Sequence, residues 1–145
     1  MNQHTNLEDI FSAFDRLTVL IVGDVMIDSY LWGKSTRISP EAPVPIVNVV
    51  KREKRLGGAA NVALNVQAMG ATPLLCSVIG DDPDGGDFLR LMDERKLSTE
   101  GIVQSPERVT TIKHRIIAGA QQLLREDAEI EHNLADYEER HLEEH

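Results

Sequence analysis

Two apolar runs set the main constraint on this chain. They are "LTVLIVGD", from Leu17 to Asp24, and "ATPLLCSVIG", from Ala71 to Gly80. Neither alternates with polar residues, so a strand made from either has no wet face. That pattern suits a parallel sheet covered on both sides. Between them, Asn61–Met69 reads as a buried helix carrying Val62, Leu64, Val66 and Met69, and Gly70 ends it. After the second run, "DDPDGGDFLRLMDERKL" reads as a turn followed by an amphipathic helix. Strand–helix–strand–helix order predicts an α/β fold, a mostly parallel sheet flanked by helices with right-handed crossovers.

Other segments fit around this frame. "NLEDIFSAFDRL" places Leu7, Ile10, Phe11, Phe14 and Leu17 on one helical face, with Asn6 as N-cap and Asp9 three residues later. Residues 29–56 differ, because Pro40, Pro43 and Pro45 exclude helix and a central strand. Alternation resumes in "PIVNVVKRE", which predicts short edge strands leaving the main sheet as a flap. Tyr30 and Trp32 on that flap could shield an apolar face or a ligand. "RVTTIKHRIIAGAQQLLRED" predicts a β-hairpin turning near Ala118-Gly119-Ala120. The tail is expected to be helical from Asn133 or Leu134.

Charge narrows the function. At −9 the chain is a poor partner for nucleic acid or an anionic membrane. From Glu126 to His145 there are nine carboxylates against one Arg, whereas Leu31–Leu56 holds six Lys or Arg against two Glu. Such a basic strip could receive an anionic ligand, or it could be a solvated edge that lysines protect from aggregation. The lone Cys76 excludes an internal disulfide and reads as a small core residue. There is no basic n-region and no apolar run near the ~20 residues of a membrane span, so the expected location is cytoplasmic. His141 and His145 mimic metal spacing only superficially, and no metal site is expected.

The chemistry concentrates in two places. "GGAAN", Gly57–Asn61, bares the backbone where a helix begins. Glycine permits positive φ and lets another group approach the main chain, and a helix start offers unpaired N–H groups. Asn61 adds donors and an acceptor. The stretch suits a polyhydroxylated ligand, or else close packing of the helix on a strand. "GDVMIDSY" puts Asp24 and Asp28 after the first strand, where ligands of open α/β sheets bind. A carboxylate grips paired hydroxyls in a fork. One of the two could instead cap the following turn, Asp24 sooner than Asp28. On a strand, Lys113 and Arg115 point to one face and could reach one anion, or they could form an exposed strand face.

"GGAANVALNVQAMGATPLLCSVIG", through Gly57, Gly58, Ala59, Asn61, Ala63, Gly70 and Gly80, resembles the N-terminal signature of the ribokinase-like (PfkB) carbohydrate kinases. "VGDVMIDSYLWGKSTRISPEAPVPIVNV" and "TTIKHRIIAGAQQLLRED" resemble in particular the bacterial D-glycero-β-D-manno-heptose 7-phosphate kinases, in many bacteria the first domain of a bifunctional ADP-heptose synthase. The resemblance covers about Leu17–Asp127. It implies transfer of phosphate from ATP, with Mg2+, to the anomeric hydroxyl of the sugar, on the way to ADP-heptose and the lipopolysaccharide core. It implies that Asp28 grips sugar hydroxyls, that Gly58 and Asn61 line the sugar site, and that residues about 29–56 and 108–126 form a lid; Gly57 and Asp24 are further candidates for substrate binding. Lys113 and Arg115, with Gln122 and Arg125, are the candidates for the sugar's phosphate and adjacent hydroxyls. Gly119-Ala120 departs from the Arg-Asn pair those kinases tend to carry before the two glutamines.

Other parts of the family pattern are not found in the sequence. There is no Gly-Ala-Gly-Asp anion hole with its catalytic Asp, no Asn-x-x-Glu motif and no Walker-type loop. Residues 1–145 are therefore read as the N-terminal part of a ribokinase-like domain, truncated before the nucleotide-binding half, with an acidic tail from about 127. No catalytic residue is expected in this chain, the fragment alone is expected to be inactive, and neither ATP nor Mg2+ is expected to bind it. A sheet cut midway predicts a homodimer or other self-association through the lid or an exposed edge. Two alternatives are a non-catalytic sugar-phosphate-binding or interaction module and a ribokinase-like kinase for another sugar.

Overall fold

The computed structural model describes residues 6–144. Helix α1 (Leu7–Phe14) precedes strands β1 (Thr18–Val22), β2 (Val25–Ile38) and β3 (Pro45–Gly58). Helix α2 (Ala59–Ala68), strand β4 (Thr72–Gly80), helix α3 (Pro83–Glu94) and strand β5 (Ile102–Ser105) follow. Strands β6 (Ile112–Ala118) and β7 (Gln121–Ala128) and helix α4 (Asp136–Glu143) complete the chain. The strands divide into two sheets. One is parallel, in the order β1-β4-β5, and the other is mixed, in the order β3-β2-β6-β7.

The parallel sheet is the predicted α/β layer. Leu75 and Ile79 of β4 meet Ala60 and Ala63 of α2 and Phe88, Leu91 and Met92 of α3 in one apolar cluster. Val25, Ile27, Leu56 and Ile112, from the near ends of β2, β3 and β6, join the same cluster. The mixed sheet is thus rooted in the core of the parallel one. Cys76 is buried there, as its setting predicted.

Several expectations need correction. β1 is an edge strand, with Leu20 60% and Val22 64% exposed, because among the described residues only β4 pairs with it and its second face is open. In α2 the buried residues are Ala60, Ala63 and Val66, while Val62 and Met69 are about half exposed. The small side chains face inward because the helix lies close on β1, β3 and β4, and the larger ones are turned outward. α1 forms with its Asn6 cap but buries no residue. Leu7, Ile10 and Phe11 stay exposed, and Phe11 meets Phe14 edge-to-face at 5.5 Å.

The flap is also larger than expected. β2 and β3 each run 14 residues, and β2 is internal to its sheet, between β3 and β6. The prolines permit this by position. Pro40 and Pro43 lie in the connection, and Pro45 opens β3, whose outer edge needs no N–H donor. The hairpin turns at Gly119-Ala120 as expected, although its first strand starts at Ile112 rather than near Arg108. It joins β2 by parallel pairing, with Asp28 beside Lys113 and Tyr30 beside Arg115.

Two polar ties hold the periphery. Lys54 on β3 pairs with Asp84 at 2.8 Å and Asp87 at 2.6 Å on α3. The tail helix begins at Asp136, two or three residues later than predicted. It is fastened by Glu138, which is buried, accepts the Ala135 N–H at 2.8 Å and pairs with Arg108 at 3.3 Å. Tyr137 adds a 2.7 Å hydrogen bond with Ser105.

Candidate functional site

Strand geometry gathers most of the predicted residues on one face. Met26, Asp28, Tyr30 and Trp32 alternate along β2 and share a side. Their register partners on β3 are Gly57, Arg55, Glu53 and Lys51. On β6 the partners of Asp28, Tyr30 and Trp32 are Lys113, Arg115 and Ile117. Opposite these on β7 stand Asp127, Arg125 and Gln122. Paired residues project to the same side of a sheet, so Asp28, Lys113, Arg115, Arg125 and Gln122 look out over one surface. Gln122 stands level with Trp32, four residues and thus ~13 Å along the strand from Asp28. The structure does not bring it beside that carboxylate.

Asp28 is the centre of this face. Its Oδ1 accepts Arg115 Nη1 at 2.5 Å, with the two side chains 23% and 21% exposed. Its other oxygen lies over the backbone of Gly57, where a Cβ would stand 2.7 Å from Oδ2 and 2.8 Å from Met26 Cγ. The missing side chain at 57 therefore makes room for Asp28 itself. Gly58 has φ of 58° and presses against the main-chain carbonyl of Asp24, which accepts the Ala59 N–H at 2.9 Å. An L side chain there would be both strained and obstructed. Asp24 thus anchors the start of α2 through its backbone and leaves its exposed side chain unused as a cap. Asn61 follows, exposed, in the first turn of that helix. The bare stretch serves both readings, since its glycines are close-packed on β2 and what they pack against is the candidate ligand-binding carboxylate.

The surrounding charges are strongly mixed. Lys113 reaches Asp127 at 3.2 Å and Glu129 at 3.0 Å, and Glu129 and then Asp127 hold its ammonium above the ordinary lysine value. Arg125 forks onto Asp127 at 2.9 and 2.7 Å, and with Lys113 it keeps that carboxyl below the usual range. Glu53 is clasped by Arg55 and Lys51, which lower it to about 2. Arg115 and Arg125 are direct cross-strand neighbours. Like charges placed so are unfavourable unless an anion comes between them.

Sequence reasoning missed the contribution of β3. Arg55, Glu53 and Lys51 alternate back from Gly57, and that two-residue period was the available signal. It also missed an aromatic–cation row. Tyr30 stacks with Trp32 at 5.1 Å, Arg55 and Arg115 lie 5.0 and 5.3 Å from the Tyr30 ring, and Lys51 lies 4.8 Å from Trp32. Cations over aromatic faces are attracted to them and so held in place.

Beside β1 and β4 a separate groove of about 610 Å³ opens, walled by Val22, Cys76, Val78, Arg108 and Leu142, with Asp24 on its rim. Among the described residues no three His, Cys, Asp or Glu side chains are placed to hold a metal ion. His145, half of the superficial histidine pair, lies outside the described residues. The described residues therefore do not supply a donor set that fits magnesium. No helix among the described residues is long and apolar enough to cross a membrane.

The fold and the signature agree with the comparisons. The family model described as "pfkB family carbohydrate kinase" matches residues 16–144. The chain is 51% identical over 125 residues to the bifunctional protein HldE of Helicobacter pylori strain P12, covering 86% of this chain and 27% of that protein. It is 40% identical over 140 residues to HldE of Geobacter sulfurreducens, covering 97% of this chain and 29% of that protein. The chain therefore spans well under a third of the length of these curated relatives. Among solved structures it resembles a nucleoside kinase of Methanocaldococcus jannaschii, with a TM-score of 0.57, 18% identity, and 77% of this chain and 36% of that one covered. It also resembles the sugar kinase PH1459 of Pyrococcus horikoshii in complex with ATP, with a TM-score of 0.53, 26% identity, and coverage of 77% and 34%. The fold is ribokinase-like, and the chain belongs to the pfkB family of carbohydrate kinases.

Proposed function

We propose that this chain is the sugar-binding part of a kinase that moves phosphate from ATP to the anomeric hydroxyl of heptose 7-phosphate, on the route to ADP-heptose and the lipopolysaccharide core. One observation carries the reading. Asp28 sits on the bare backbone at Gly57, with Lys113, Arg115 and Arg125 on the same face. A carboxylate suits sugar hydroxyls, and forked guanidinium groups suit a phosphate monoester. β2, β3, β6 and β7 act as the lid, closing over the sugar so that water does not compete as acceptor.

Transfer itself needs an anion hole and a metal, because phosphoryl transfer is mostly positioning and charge stabilisation. Among the described residues no three His, Cys, Asp or Glu side chains are placed to hold a metal ion, and the sequence carries no Gly-Ala-Gly-Asp stretch. Residues 1–145 alone therefore bind sugar phosphate without turning over ATP, which is also how a non-catalytic sugar-phosphate module would behave. The open edge of β1, with Leu20 and Val22 exposed, favours self-association, and sedimentation showing a clean monomer would count against it.

Calorimetry with heptose 7-phosphate, ribose and fructose phosphates tests the substrate class. The expected result is tightest binding of heptose 7-phosphate, lost in Asp28→Asn. Equal affinity for all three would overturn the assignment. An ATP-turnover assay with heptose 7-phosphate should show no rate above background, and measurable turnover would refute the prediction of inactivity.

A further inference from the structure

In the structure the carboxylate that would grip the sugar is already occupied. Asp28 Oδ1 is bonded to Arg115 at 2.5 Å, and Oδ2 is pressed toward Gly57. A sugar diol needs both oxygens of the fork, so it must displace Arg115 or bind with half the fork. Arg115 in turn sits in a poor electrostatic position. Its direct neighbour on β7 is Arg125, and its guanidinium lies 5.3 Å from the Tyr30 ring with Arg55 at 5.0 Å from the same ring. Two guanidinium groups thus flank Tyr30, Arg125 stands on the next strand paired with Asp127, and Asp28 is the one carboxylate bonded to Arg115 among the described residues. A phosphate carrying up to two negative charges and three acceptor oxygens is a stronger partner for Arg115 and Arg125 together than the separate carboxylates, Asp28 and Asp127, that each now holds. Its arrival would relieve the like-charge pair and leave Asp28 without its cation.

We propose that Arg115 is a specificity-determining residue that blocks Asp28 until a phosphate draws it toward Arg125, so that phosphate recognition and hydroxyl recognition are one coupled event. The inference rests on the proposed sugar-phosphate reading of this face. Under it, an unphosphorylated sugar is rejected because nothing removes Arg115 from Asp28, and the absence of a phosphate contact is only a secondary reason. The Tyr30 ring, flanked by Arg55 and Arg115, helps to hold the guanidinium beside Asp28 while no phosphate is bound. Gly57 fixes the carboxylate, so the arginine is the member of the pair that moves.

The coupling makes an unusual prediction. By linkage, a phosphate that frees Asp28 must raise the affinity for unphosphorylated heptose, and that heptose must raise the affinity for phosphate. The test is calorimetry of the 145-residue chain with unphosphorylated heptose, with and without saturating inorganic phosphate, and with heptose 7-phosphate, in wild type, Arg115→Met and Arg115→Gln. Inorganic phosphate should tighten heptose binding to wild type on the order of 10-fold, about the value of a hydrogen bond to a charged group. Both variants should bind unphosphorylated heptose more tightly than wild type, bind heptose 7-phosphate more weakly, and show no effect of added phosphate. Circular dichroism melts establish that the variants are folded, and the wild-type phosphate effect stands without them. If phosphate leaves heptose binding unchanged or competes with it, or if folded variants do not gain affinity for unphosphorylated heptose, the blocking role is refuted while a plain phosphate contact survives. If wild type binds neither sugar, the sugar-phosphate reading itself falls, and this inference with it.

Discussion

The two sheets are built on opposite plans. In the parallel sheet, β4 is buried by Leu75 and Ile79 against two helices, and its order comes from close-packed hydrocarbon. In the mixed sheet, the outward face from Lys51 to Asp127 is a lattice of charges whose partners are other charges. Exposed ion pairs contribute little to stability and exchange partners readily, whereas packed apolar groups do neither. One sheet supplies stability and the other supplies a surface that a ligand can rearrange.

The largest expected effect tests the first half of that contrast. Phe88→Ala empties a fully buried position on α3 and should cost about 3–5 kcal/mol in urea unfolding, because a cavity is added to the lost transfer energy. A cost under ~1 kcal/mol would show that the core is looser than described.

Next come two glycines that separate crowded from open backbone. Gly57→Ala sets a methyl against Asp28 and Met26 and should destabilise by about 1–3 kcal/mol while weakening sugar binding. Gly86→Ala, inside α3 with nothing within 4 Å of the added carbon, should stabilise by up to ~1 kcal/mol. Parallel thermal melts of the two variants provide the check.

Asp82 provides the pH test. It caps α3 by accepting the Gly85 N–H at 2.7 Å and also holds the Thr110 N–H at 2.8 Å. Burial would raise its carboxyl, but these N–H groups outweigh that and keep it below the ordinary value. A lowered folded pKa means that its contribution is complete above the unfolded value of about 3.9 and fades as pH falls through the lower folded one. Urea midpoints should drop over that interval, and Asp82→Asn should flatten this part of the profile. Asp82→Ala should cost about 1 kcal/mol at neutral pH.

The smallest effect belongs to the charged face. Glu53 is held down to about 2 by Arg55 and Lys51, yet the cluster faces water. Glu53→Gln should leave the thermal midpoint unchanged within error, and added salt should erase any residue of an effect. A clear loss of stability would break the contrast between the sheets.

The sequence foretold the parallel layer because its strands carry continuous apolar runs and its helices a 3.6-residue period. It misjudged β1 and the outward side of α2, because burial depends on which neighbours lie alongside, and residues such as Leu20 and Val62 do not encode that. The candidate site was readable where one residue type has few substitutes, at Gly57, Gly58 and Asp28. The partnerships among Lys113, Asp127 and Glu129, and the two arginines flanking Tyr30, depend on strand register. Register brings residues together from across the chain, and no local pattern in the sequence announced it.

Asp28 and Arg115 are 87 positions apart, and the parallel seam between β2 and β6 joins residues 85 positions apart. A growing polypeptide can form the β2–β3 hairpin early, but the edge of β2 that β6 will occupy stays open until synthesis has passed Ala118. During that interval a newborn chain presents a long unpaired ribbon edge to its surroundings. Chaperone capture or mispairing between nascent copies should concentrate at that stage, and slow translation just before residue 112 should aggravate both.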